Sequence, residues 1–160
     1  MVFECGHKVV HKTHGVGEIE GSEILDLGGQ QQDYYILKII STGLKVRFPK
    51  ESTQQIVRNL VSELEIKEIL GVISSPAKSY SMVWNRRKKE FNEKINSGSI
   101  FEIAEVYRDL RNKTDGKELS FGEKEMMEKA KARLVSEIAA ARSVDDLEVS
   151  QLIDSCHQAV

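Results

Sequence analysis

The chain has 160 residues, is 40% apolar and 30% charged, and carries 23 Lys or Arg against 25 Asp or Glu. This is the composition of a folded chain of one domain or two small ones, and it excludes a disordered polymer. A net charge of −2 excludes a global field that draws the whole molecule to nucleic acid, and the apolar runs are too short to span a bilayer.

Residues 1–58 read as short strands. His7 to Lys12 centres on Val9 and Val10. The segment from His14 to Gly21 alternates Val16, Glu18 and Glu20 with Gly15, Gly17 and Ile19. Glycine inside a strand marks a bulge or bend, as a small barrel needs. Leu25 to Gln32 contains Gly28-Gly29 and reads as a hairpin tip. Tyr34 to Ile40 is the strongest strand signal, aromatic and β-branched. After the turn Ser41-Thr42-Gly43, Leu44 to Pro49 alternates cleanly, with Leu44, Val46 and Phe48 on one side and Lys45 and Arg47 on the other. Gln54 to Val57 is expected as a last short strand. Such strands suggest a small curled barrel of the Tudor or SH3 kind.

After Arg58 the apolar period changes from two to about 3.6, which places a boundary there. Residues 62–160 read as five helices with their own core. Three of them open on capping-box patterns: Ser62 with Glu65, Ser99 with Glu102, and Ser120 with Glu123. The first helix runs to about Ile73, with Leu64, Ile66, Ile69, Leu70 and Ile73 as its stripe. The second runs from about Ser81 to Asn96, with Met82, Phe91 and Ile95 facing a core. Ile103, Val106, Tyr107 and Leu110 mark the third. A polar loop, Lys113 to Lys117, precedes the longest, which ends near Arg142. Leu147, Val149, Leu152 and Ile153 mark a final helix opened by Ser143 to Asp146. The expected fold is therefore α+β in two domains: a Tudor-like barrel at 1–58 and a compact helical domain at 62–160.

The chemistry-bearing stretch lies in the second helix. Trp84-Asn85-Arg86-Arg87-Lys88-Lys89-Glu90-Phe91 holds the only tryptophan, four cations directly after it, and a phenylalanine. Between Pro76 and Gly98 six cations face two acids, so the remainder of the chain is acidic. Cations hold phosphates without reading sequence, and a flat ring fits where bases are unstacked. Taken alone, these residues read equally well as a core tryptophan beside a solvated charged face.

No pattern points to catalysis. His7, His11 and His14 with Cys5 lack zinc spacing and a second ligand cluster, and read as structural or exposed side chains. Gly15-x-Gly17 and Gly28-Gly29 lack the strand-to-helix setting of a phosphate loop. Neither a catalytic residue, nor a metal ligand, nor a cofactor is expected. Cys5 and Cys156 lie at opposite ends and suit a reducing compartment. The N-terminus lacks a basic start followed by an apolar run, so no signal peptide is expected and the expected location is the cytoplasm.

Three segments together resemble the CarD/CdnL family of bacterial transcription regulators. They are His7-Lys8-Val9-Val10-His11 with His14 to Gly17; Trp84 to Lys94; and Phe101 to Leu110 with Leu119-Ser120-Phe121-Gly122-Glu123-Lys124. The front segment is also similar to that of transcription-repair coupling factors. The resemblance implies a Tudor-like domain that binds the RNA polymerase β subunit and a helical domain that binds promoter DNA. It implies stabilisation of the open complex, with a tryptophan wedged in the minor groove at the upstream edge of the bubble.

Carried onto this sequence, Trp84 matches the wedge, Arg86 and Arg87 the arginines after it, and Lys89 a further basic contact. Lys88 joins them as a cation where an aromatic is frequent, which adds charge and removes a packing contact. Arg47 and Pro49 match the polymerase-binding strand, with Ile36 on the strand beside it. Some members have an arginine in the preceding hairpin, whereas here no cation occurs between Lys12 and Lys38, and Leu25 stands near that place. The implied molecule acts as a monomer, associates with the nucleoid through polymerase, and touches no membrane. The alternative is a protein–protein adaptor that uses Trp84 against another protein and never contacts DNA.

Overall fold

The computed structural model describes residues 2–78, 83–113 and 118–156. These form two compact units, divided between Leu60 and Val61. The front unit is one antiparallel sheet in the order β4-β3-β2-β1-β5. Its strands are β1 (Lys8–His11), β2 (Gly15–Leu27), β3 (Gln30–Ile39), β4 (Lys45–Pro49) and β5 (Val57–Arg58).

Alternation sets the faces. Leu37 lies opposite Val46 and Tyr35 opposite Phe48, all turned inward. Phe3, Val9, Ile19, Ile39 and Val57 complete that core. Gly17 sits where β2 crosses this packing. A Cβ there would lie 2.7 Å from Leu37 Cδ1, so only glycine lets the two strands close. The pairing slips between Ile19 and Gly21, a bulge that bends β2. Gly28 and Gly29 take positive φ in the two-residue turn between Leu27 and Gln30, as a tight hairpin requires. Asp26 Oδ1 accepts from Gly29 N at 2.8 Å and fixes the turn.

The expected strand at Gln54–Val57 is mostly helical. A 3-10 turn (Lys50–Ser52) runs into one turn of helix, α1 (Thr53–Ile56), and only Val57 and Arg58 pair with β1. The reason is local: the buried Thr53 hydroxyl donates to Lys50 O at 2.6 Å, and this side-chain bond competes with the ladder.

The second unit holds α2 (Glu63–Ile73), α3 (Trp84–Asn96), α4 (Ile100–Arg111), α5 (Phe121–Arg142) and α6 (Asp146–Ser155). The Ser62 box forms in full: Ser62 Oγ accepts from Glu65 N and Glu65 Oε2 accepts from Ser62 N. Ser99 is the N-cap of α4, but its side chain makes no capping bond. Ser81 and Met82, expected in the α3 helix, and residues 114–117 of the expected polar loop lie outside the described residues.

Helix α4 is the axle, with eight of its twelve residues buried and α2, α3 and α5 packed around it. Ile66, Ile69 and Ile73 form the buried stripe of α2. Leu64, expected in that stripe, is exposed, because its offset from Ile66 turns it to the opposite side. Leu147 on α6 is exposed for the same reason, while Val149 and Ile153 are buried. No described helix is long and apolar enough to cross a membrane. The fold is thus α+β, a Tudor-like sheet unit followed by a helical unit.

Candidate nucleic-acid interface

Helix α3 has two unlike faces. Phe91 and Ile95 are buried in the core of the helical unit. Trp84 and Arg87, at i−7 and i−4 from Phe91, continue that face toward the N-terminus and are partly exposed. Arg86 and Lys89 lie on the other side, Lys88 flanks the Trp84–Phe91 stripe at i+4 from Trp84, and all three are exposed. Lys88 therefore adds charge at a position the core does not use. Beside it Asn85, Lys88, Lys89, Asn92, Glu93 and Asn96 line a shallow polar groove along the helix.

Trp84 is the first residue of α3, and it rests on the first turn of α5. A Cβ on Gly122 would lie 3.0 Å from Trp84 Cζ2 and 3.6 Å from Cε2. The indole thus lies flush on backbone that no larger residue would leave bare. The Arg87 guanidinium sits 5.4 Å from the ring centroid, in cation–π range.

Arg87 is itself held. Its Nη2 donates to Glu123 Oε1 at 3.2 Å, and Lys113 Nζ donates to Glu123 Oε2 at 3.0 Å. Glu123 is 4% exposed, so one buried carboxylate gathers two cations from two other segments. Sequence reads Glu123 as the acid of a capping box. Half of that box forms, since Glu123 N donates to Ser120 Oγ at 3.2 Å, while the carboxylate serves Arg87 and Lys113.

Glu123, Gly122 and Lys113 are the site residues that sequence reading missed. The available signal was a glycine and a phenylalanine in the first turn of a helix, where neither helps the helix.

The predicted basic cluster thus divides. Arg87 belongs to the packed assembly that seats the ring, and Arg86, Lys88 and Lys89 are available at the surface.

A second assembly anchors the segment before α3. Arg108 Nε donates to Asp109 Oδ1 at 2.8 Å and its Nη1 donates to Ser75 Oγ at 3.0 Å. Asp109 Oδ1 also accepts from Lys78 N, and Asn112 Nδ2 donates to Ser75 O. Arg108 and Asp109 therefore form a buried brace on residues 75–78. Tyr107 beside it is buried, and that burial raises its phenol above the ordinary tyrosine range, with Arg111 and Lys131 opposing the shift.

In the front unit, Ile36 pairs directly with Arg47, and Pro49 with Tyr34. All three lie on the outward face, opposite the row that carries Leu37 and Phe48. Strand β4 ends the sheet order, so its outer edge has no strand partner among the described residues. Arg47 pairs with Glu23, and Lys45 Nζ lies 3.3 Å from Glu20 Oε2. Leu25, half-buried, faces Gln32 across the hairpin. Of the histidines, His7 meets Phe3 edge-on, and His11 Nδ1 accepts from the backbone N–H groups of Thr13 and His14.

Residues 3–61 match the family model described as "CarD-like/TRCF RID domain", and residues 68–154 match that described as "CarD, C-terminal domain". A protein of Bacillus subtilis (strain 168), named "Putative transcription factor YdeB", is 28% identical over 149 residues, covering 92% of this chain and 97% of that relative. The solved structure "CdnLNt from Myxoccoccus xanthus" is 32% identical and covers 39% of this chain and 90% of its own, with a TM-score of 0.34.

Proposed function

The chain belongs to the CarD/CdnL family of transcription regulators, and on that premise we propose that it binds two partners at once. Its front unit takes the RNA polymerase β subunit through β4, with Ile36, Arg47 and Pro49 on the contacting face. Its helical unit takes promoter DNA at the upstream edge of the melted bubble, with Trp84 as a wedge in the minor groove.

The observation that carries the DNA half is the seat of Trp84. The ring is neither lost in the core nor free: it is partly exposed, backed by Gly122 and held beside the Arg87 guanidinium. A partly exposed ring held next to Arg86, Lys88 and Lys89 has the parts that an unstacked base step and its phosphates demand.

Opening a promoter balances unstacking and unpairing against protein contacts. A ring that fills the opened step binds the melted state better than the closed one, and so shifts the equilibrium without chemistry. Base–aromatic stacking of about 1–3 kcal/mol corresponds to roughly 5- to 150-fold in open-complex lifetime. The exposed cations hold phosphates, and attachment to polymerase raises the local concentration, so weak affinity for free DNA suffices. Regulation by this chain needs no cofactor and no catalytic residue, and it works as a monomer in the cytoplasm, reaching the nucleoid on polymerase.

The test is open-complex lifetime on one promoter with purified polymerase, without the protein, with it, and with Trp84→Ala. The wild-type chain lengthens the lifetime and Trp84→Ala does not, although the variant folds and still binds β. Equal lifetimes with the wild-type chain and the variant would remove the wedge. Salt-insensitive binding to a protein, with no affinity for forked DNA, would replace the reading with the adaptor.

A further inference from the structure

Phe121 occupies the first position of α5 and is 84% exposed. It is the most exposed aromatic among the described residues. Nothing in the fold explains it: it packs in neither core, and a phenylalanine at the first helical position favours neither the cap nor the helix. Its place explains more. Phe121 directly precedes Gly122, the residue on which the Trp84 indole rests, so its Cα stands one backbone step, about 3.8 Å, from that seat. Two residues on, Glu123 locks the same turn to Arg87 of α3. The first turn of α5 therefore carries two rings' worth of apolar surface in one rigid assembly. One ring lies across it and the other projects from it.

The ground around Trp84 is cationic, with Arg86, Lys88 and Lys89 exposed within a turn or two of it against Glu90, whereas the ground around Phe121 is mixed, with Lys124 exposed between the exposed acids Glu118 and Glu125. An exposed flat ring one backbone step from the seat of Trp84, and so adjoining the cations of α3, suits a nucleobase joined by phosphates.

We propose that Phe121 is a second stacking surface, which takes an unpaired base of the strand that Trp84 separates from its complement. This rests on the wedge reading of Trp84. It adds a distinct role: Trp84 opens the junction, and Phe121 holds a base already opened. The ligand is single-stranded nucleic acid adjoining a duplex end, recognised by its π-face and not by its sequence.

The experiment compares the full-length chain on two DNAs at low ionic strength: a duplex with an unpaired fork, and the fully paired duplex of the same sequence. Phe121→Ala weakens fork binding by roughly 5- to 150-fold, the range found when one base-stacking ring is removed, and leaves duplex binding and its salt slope unchanged. Phe121→Tyr restores fork binding, whereas Phe121→Leu, apolar but not flat, does not. Because the side chain is exposed, all three variants keep the wild-type melting temperature, which confirms that the readout is binding.

Equal fork binding by wild type and Phe121→Ala overturns the inference. So does rescue by leucine, which would mean an apolar protein contact. If Trp84→Ala still abolishes fork preference in either case, the wedge reading survives. A wild-type chain that does not distinguish fork from duplex overturns both.

Discussion

Replacing Glu123 with glutamine tests whether the ring is held or merely present. The amide keeps the shape and one acceptor but drops the charge that gathers Arg87 and Lys113. The carboxylate is 6% exposed, and its two cations are 19% and 18% exposed. A pair of unit charges about 4 Å apart is worth about 4 kcal/mol at an effective dielectric of about 20, before desolvation is subtracted. Removing one partner of a buried pair costs about 3–5 kcal/mol. Here the retained acceptor and the partial hydration of both cations reduce that to about 2–3 kcal/mol.

For a unit of about 100 residues, where 1 kcal/mol moves the midpoint by about 4–8 °C, Glu123→Gln lowers the melting temperature by about 10–20 °C. The assay is the helical circular-dichroism melt at low and high salt. Because the groups are mostly buried, the deficit persists at high salt. At 25 °C the variant remains folded, yet open-complex lifetime falls because the guanidinium no longer fixes the indole. A melt within about 2 °C of wild type, with an unchanged lifetime, would refute the claim that Glu123 organises the seat.

Gly122→Ala places a methyl 3.0 Å from Trp84 Cζ2, inside the ordinary carbon contact of about 3.5–4.0 Å, so the ring swings outward. The strain is offset by the helix preference of alanine, about 1 kcal/mol, and stability stays near wild type. Emission from the single tryptophan shifts to the red, and the lifetime falls between those of wild type and Trp84→Ala; unchanged emission would mean the seat has slack. Arg47→Glu sets two acids, Glu23 and the new side chain, against each other on the outward face. It weakens binding to the polymerase β subunit and spares fork binding, and normal β binding would move that interface elsewhere. Tyr107 has a folded pKa raised by burial. Its contribution is intact below the unfolded value of about 10 and is lost as pH rises through the folded value. Urea midpoints at pH 9 and pH 11 therefore fall further for wild type than for Tyr107→Phe, and equal falls would show that burial does not reach the hydroxyl.

Where a residue's role is set by near neighbours in sequence, the chain was legible. Alternation put Val46 and Phe48 on one side and Lys45 and Arg47 on the other, because side chains alternate along a strand whatever lies across from them, whereas Leu44, read on the side of Val46, precedes the strand and is exposed. The Ser62 box formed because both its bonds close within four residues. Patterns that depend on a distant competitor misled. Thr53 turned its segment helical through a bond to Lys50 O that strand propensity does not register. The four cations after Trp84 look alike in sequence, and nothing local says that Arg87 alone faces inward. Its partner lies 36 residues on, in a glutamate that a local pattern assigns to capping. Leu64 and Leu147 show the matching error for apolar residues: both lie in a first turn, on the side opposite the stripe that the helix buries.

The half-buried state of Trp84 suits the proposed wedge. A ring fully in the core could not reach a base step. A ring fully in solvent would lose its rotamer freedom on binding, at about 0.5–1.5 kcal/mol for each immobilised side chain, and so give back part of a stacking energy of only about 1–3 kcal/mol. A glycine that admits the ring and a guanidinium that caps it supply that order before DNA arrives. The same economy governs charge. The segment from Pro76 to Gly98 carries four more cations than acids, while the whole chain is at −2, so the other residues sum to −6. On the proposed function, such a molecule is not drawn to DNA from a distance and binds it only where a partner sets the helix down, so a ring and a few lysines would suffice for the helical unit once the sheet unit holds polymerase.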